Sequence, residues 1–352
     1  MTTSKHVLTT LPCSNLLKLS LCDWAVQLDW RAKDSPGILQ ATGLTYLELK
    51  MYNQRDLAGG MSPLTALHAL PALQRFDLSV QDALSASSRM YSNMNNPFDA
   101  DQHLPSCVIK GLTTLTGLRF NGVLGLESFQ PFSRLSKLQH LHMNLQLGVW
   151  DEDSVQPELE PFAQLQALTH LSLDIAKCKG VSTSSSPPVA GCTRLQELHL
   201  AAPTLDASVL QGLTGLRRLY VWVPAVEGGA DGVAALLSYV GHMQLLERLV
   251  LAGQSGSAVA ALGVSDRELG RAVTASVNLA YLDLTGLKLL RSAWVHLFPV
   301  GRQRLQLLEF KLCFADISAF GDLLDCSALE QMVAWVCSSQ MYLWRLCCGC
   351  SG

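Results

Sequence analysis

Leucines recur along this chain in a fixed six-residue figure, L-x-x-L-x-L, whose clearest copy is Leu195-Gln-Glu-Leu198-His-Leu200. The second and third leucines stand two apart, the spacing at which side chains of a strand share one face. The first closes the core from the turn before. The figure starts at Leu16, Leu44, Leu73, Leu115, Leu138, Leu168, Leu195, Leu216, Leu246, Leu279 and Leu305. It starts again in degenerate form at Leu329, with Met332 and Ala334. Successive starts average about 28 residues apart, a period that marks stacked repeats in which each unit covers its neighbour's core.

Between the strands the apolar spacing turns helical. Apolar residues fall three apart in Leu64, Leu67 and Leu70, and again in Phe132, Leu135 and Leu138. Asp231 to Val240 reads as an Asp-capped helix, and Ser265-Asp-Arg-Glu268 as a capping box ahead of Leu269 and Val273. Asp206 and Asp316 are expected to cap the helices that follow them. Each repeat is therefore a strand, a turn, and a short helix or irregular turn.

On these residues the chain resembles the leucine-rich repeat family over about Leu16 to Ala334. The resemblance implies an α/β fold, a right-handed solenoid or horseshoe of 11 or 12 repeats. A concave parallel β-sheet would line it, with helices and turns on the convex side. The family follows its strand with Asn or Cys, which bonds the turn. Here that position holds Cys313 but otherwise residues such as Trp24, Tyr52, Gln81, Ala176 and Pro203. An internal asparagine ladder is not expected, and less regular turns are.

The expected organisation is a lead-in over 1–15, the repeat domain over 16–334, and a Cys/Trp-rich tail over 335–352. An insertion is expected at about 85–107, where Ser85 to Pro97 is polar and aperiodic, and Val181 to Pro188 reads as a second loop. The tail, with Cys337, Cys347, Cys348 and Cys350 among Trp335, Tyr342 and Trp344, has several readings. It caps the last repeat, or forms a disordered tail, or carries S-acylation. Half a zinc site lacks its other ligands, since no histidine lies beyond His296.

Composition narrows the classes. Charged residues are 16% and the net charge is −3, so no bulk attraction to nucleic acid is expected. No apolar stretch reaches the length of a transmembrane segment. Eleven cysteines are scattered without paired capping clusters, which points to free thiols in the cytoplasm. The family resemblance adds a cytoskeletal or ciliary axonemal scaffold as an alternative. No cofactor is implied, and no nucleotide-loop, zinc-protease or serine-hydrolase motif occurs, so the chain reads as no enzyme.

Function is expected on the residues that alternate with the core leucines. Arg218, Tyr220, Trp222, Arg248 and Tyr281 carry the side chains most enriched at protein interfaces, and neighbouring strands would bring them together. They form the candidate site for a protein partner. A second concave patch comprises His140, His142, His170, Asp174, Glu197 and His199; a polar wall, rather than a metal site, is its expected role. The family includes activators of small GTPases that use an exposed arginine and asparagine, and Arg119 with Asn121 would be the corresponding pair.

Overall fold

The computed structural model describes residues 15–23, 41–51, 62–80, 106–122, 129–145, 160–176, 189, 191–202, 204–222, 226, 229–252, 266–283, 307–312, 331–337 and 341–347. The chain forms two compact units, Met1–Gly180 and Val181–Gly352. The serine-rich stretch Val181 to Pro188 begins the second unit but lies outside the described residues. So do residues 85–105 of the expected insertion, Asp316, and the last cysteines, Cys348 and Cys350.

The first unit is built on β1 (Lys18–Asp23), β2 (Tyr46–Met51), β3 (Arg75–Val80), β4 (Gly117–Gly122), β5 (His140–Leu145) and β6 (His170–Asp174). Each strand pairs in parallel with the next in chain order. The register sets figure against figure: Leu47, Phe76, Leu118, Leu141 and Leu171 are successive partners. All five are buried, because period-two alternation sends the whole row to the core side.

The second unit repeats this with β7 (Glu197–Ala201), β8 (Arg218–Trp222), β9 (Arg248–Ala252), β10 (Tyr281–Asp283), β11 (Leu307–Leu312) and β12 (Gln331–Cys337), all parallel. The degenerate figure is a true strand: Met332 partners Leu308 and Ala334 partners Phe310. Strand β12 runs through the expected boundary at 334. It is followed by β13 (Met341–Cys347), which returns antiparallel against it. Most of the tail is thus strand.

Upstream of most of the described figures the apolar residues keep stepping by three. Leu67 and Leu70 precede Leu73, Phe132 and Leu135 precede Leu138, and Leu210 and Leu213 precede Leu216, all buried. Three residues per turn is the repeat of a 3-10 helix, which eclipses every third side chain. Among the described residues such helices form at Ser62–Ala69, Gln130–Arg134, Glu160–Gln164 and Ala207–Leu210. Asp206 caps the last, accepting from the Ser208 amide at 2.8 Å. Phe129, Phe132 and Phe162 bridge two of them, with ring centroids 5.0 to 6.1 Å apart.

Longer connections become α-helical, at Ser106–Gly111, Gly229–Gly241 and Asp266–Ala275. The second starts two residues before Asp231, so Asp231 sits in the first turn and does not cap it. There it still faces the positive end of the helix dipole. The Asp266–Ala275 helix begins directly after Ser265, where a capping box would place it. Gly241 packs against the Asp266–Ala275 helix, where even an added Cβ would make only ordinary contact, 3.6 Å from the Ala272 Cα.

The asparagine-ladder positions lie outside the described residues apart from Ala176. A different ladder runs on the other flank of the strands. The Gln139 carbonyl accepts from the Thr169 and His170 amides at 2.9 and 3.0 Å, and the Arg217 carbonyl accepts from those of Glu247 and Arg248 at 2.8 and 3.0 Å. The same forked bond recurs at Leu17, Thr45, Gln74, Thr116, Gln196 and Glu247. Thr45, Thr116 and Thr169 add their hydroxyls to the same carbonyls. Main-chain groups thereby join each repeat to the next at a fixed register.

Candidate functional site

In the second unit, alternation along β8 buries Leu219 and Val221 and turns Arg218, Tyr220 and Trp222 to the face away from the core. On β9 it turns Arg248 to that face, and on β10 Tyr281. All five residues of the expected patch therefore share one face of three adjacent strands. Arg248 is the register partner of Arg218 on one side and of Tyr281 on the other.

Contacts hold the patch in place. The Arg248 guanidinium lies over the Tyr281 ring, 3.8 Å from its centroid, and 5.4 Å from that of Tyr220. Its Nε is buried without a hydrogen-bond partner. Arg218 reaches the other way, to Glu197 on β7, at 3.4 Å. His199 on β7 meets Tyr220 with ring centroids 5.8 Å apart. Trp222 is flanked in register by Ala201 and Ala252, so neither neighbouring strand opposes it with a large side chain. Just before the strands, Arg217 and Glu247 form a further pair at 2.6 Å.

Glu197 and His199, grouped by sequence with the histidines, thus make their described contacts with Arg218 and Tyr220 in the second unit. The alanines beside Trp222 had no chemical signal to draw notice. Their signal is positional: small residues at the seventh place of the flanking figures.

The corresponding face of the first unit is a polar mosaic. Tyr46 donates to Asp77 at 3.0 Å, and Arg75 pairs with Asp77 at 3.4 Å and lies over the Tyr46 ring. Burial, then the bond to Asp77, raises the Tyr46 phenol. Glu48 takes bonds from Lys50 at 2.7 Å and Ser20 at 2.5 Å, and these hold its carboxyl low. The Asn121 amide oxygen accepts from Arg119 Nε at 3.3 Å, and its nitrogen donates to His142 Nε2 at 3.2 Å. His140 and His170, register partners on β5 and β6, stack with centroids 4.5 Å apart. Asp174 bonds the Ala176 amide at 3.2 Å, closing the turn after β6. Burial, with lesser contributions from His170 and Arg75, lowers the His140 imidazole.

Comparison with known proteins rests on structure. No family model matches the chain. The crystal structure of an internalin from Listeria monocytogenes, a leucine-rich repeat protein, aligns with a TM-score of 0.53 over 93% of this chain and 83% of its own, at 16% identity. The chain has the leucine-rich repeat fold. A Leptospira interrogans LRR protein aligns with a TM-score of 0.36 over 91% of this chain and 90% of its own, at 16% identity, too low a score to add weight. By sequence, the hepatitis E virus genotype 1 non-structural polyprotein pORF1 is 26% identical over 263 residues, 66% of this chain. The chain spans 14% of that polyprotein's length.

The leucine-rich repeat fold explains why side chains gather as they do. Every repeat offers its strand at the same height, so chemistry separated by 30 residues in sequence, as Arg218 and Arg248 are, becomes lateral contact. Among the described residues no helix is long and apolar enough to cross a membrane, and no three His, Cys, Asp or Glu side chains are placed to hold a metal ion together.

Proposed function

We propose that the chain is a non-enzymatic protein-interaction module whose partner docks on the face of β8 to β10. The arrangement of Arg218, Tyr220, Trp222, Arg248 and Tyr281 as one laterally continuous patch carries this reading. Two tyrosines are fixed against one arginine before any partner arrives, so little side-chain entropy is lost on docking. Tyr, Trp and Arg are the residues whose truncation most often costs an interface its affinity. Arg119 and Asn121, the pair of a GTPase-activator reading, are engaged with each other and with His142, so the interaction reading takes precedence. It also takes precedence over a cytoskeletal or axonemal scaffold, for which no residue is diagnostic. A reducing cytoplasm is proposed from the scattered cysteines; Cys192 itself is buried, which pushes its thiol up to about 11 and keeps it unreactive.

The test is a pull-down from cell lysate, quantified by mass spectrometry, with wild type and with the Arg218→Ala/Trp222→Ala double variant. Proteins retained by wild type should fall by about tenfold or more with the variant, while circular dichroism shows an intact fold. Retention of the same proteins in the same amounts would remove the patch from the account.

A further inference from the structure

We infer that the Arg248 guanidinium is a receptor for a carboxylate, and that the face takes an acidic peptide segment bearing an apolar side chain beside the acid. The inference rests on the proposed interaction role and names the chemistry of its partner.

Three observations lead there. Arg218 and Arg248 are direct register partners, so two cations stand side by side, an arrangement that costs stability unless an anion intervenes. Glu197 answers Arg218 at 3.4 Å, whereas no described residue pairs with Arg248. Its Nε is buried without an acceptor, which leaves the cation incompletely compensated by the protein. The stacking on Tyr281 and Tyr220 meanwhile fixes the plane of the group. A planar guanidinium, fixed by stacking and given no carboxylate by the described residues, is matched at its terminal Nη groups by the fork of a carboxylate, which can accept two parallel N–H bonds.

The apolar requirement comes from Trp222. It lies on the same face as Tyr220, one alternation along β8, and Ala201 and Ala252 stand on either side of it. An indole between two small residues offers an apolar seat roughly 7 Å along the strand from the tyrosine. An extended peptide spaces alternate side chains by the same distance, so an acid and an apolar residue two positions apart match both.

A short-peptide library with its central position held as Glu, Gln, Lys or Leu, and the others degenerate, tests this against the full chain. The Glu pool should be retained about tenfold better than the Gln pool, which has the same shape without the charge. Arg248→Gln should bring the two pools level, and Arg248→Lys should restore part of the preference. Trp222→Ala should weaken all pools alike. Equal retention of Glu and Gln pools by wild type, or a Glu preference surviving in Arg248→Gln, overturns the carboxylate inference; a loss with Trp222→Ala would then still support the face as a binding site. Retention indifferent to Trp222→Ala, or no retention of any pool, overturns the proposed function with it. If Arg248→Gln fails to fold by circular dichroism, the wild-type Glu-to-Gln ratio decides alone.

Discussion

His140 shows how one residue registers its surroundings. Its ring is exposed on one side and covered on the other by the stacked His170 ring, with Arg75 contributing a further positive charge. Each of these disfavours the imidazolium, burial most, so the folded-state pKa lies below the unfolded value. The unfolded chain therefore takes up the proton first as pH falls. The contribution of His140 to stability is complete above the unfolded pKa of about 6.5 and is lost as pH falls through the folded pKa. Urea unfolding should give a higher midpoint at neutral pH than in mild acid, and His140→Asn should shrink that difference. An unchanged difference in the variant would place the pH dependence elsewhere. Arg218, neutralised by Glu197, likewise differs from Arg248, which among the described residues is held by the Tyr281 and Tyr220 rings.

At the scale of elements, the strands and the turns before them carry the stability. Phe162 is fully buried and touches both Phe129 and Phe132 from the neighbouring repeat. Phe162→Ala should cost about 3–5 kcal/mol, read as a lowered urea midpoint, and should raise amide exchange mainly in the first unit. A loss within experimental error would mean that the phenylalanines are not what joins those repeats. The strands were legible in the sequence because period-two leucines admit few other readings, and even Met332 and Ala334 fell into register. The connections were half legible. Their apolar step of three was visible, but a short stretch with that step does not distinguish an α-helix from a 3-10 helix. The forked carbonyl ladder could not be read at all, since every residue carries the amide and carbonyl that make it.

At the scale of the molecule, the sequence read one uninterrupted run of repeats, because the leucine figure continues through the point where the two compact units divide. The same continuity led it to group Glu197 and His199 with His140 and His170. That Arg218, Tyr220, Trp222, Arg248 and Tyr281 share one face was legible, because strand alternation and repeat spacing dictate who faces outward. The clamping of Arg248 between two rings was not, because it depends on side-chain rotamers across strands. That face is where the partner is proposed to sit. A photo-crosslinking residue, p-benzoylphenylalanine, placed at Tyr220 and separately at the exposed Gln211 on a connecting turn, tests it most directly. On irradiation in lysate, the substitution at Tyr220 should yield discrete crosslinked species by mass spectrometry and that at Gln211 should not. Crosslinks from Gln211 alone, or from neither position, would contradict the account.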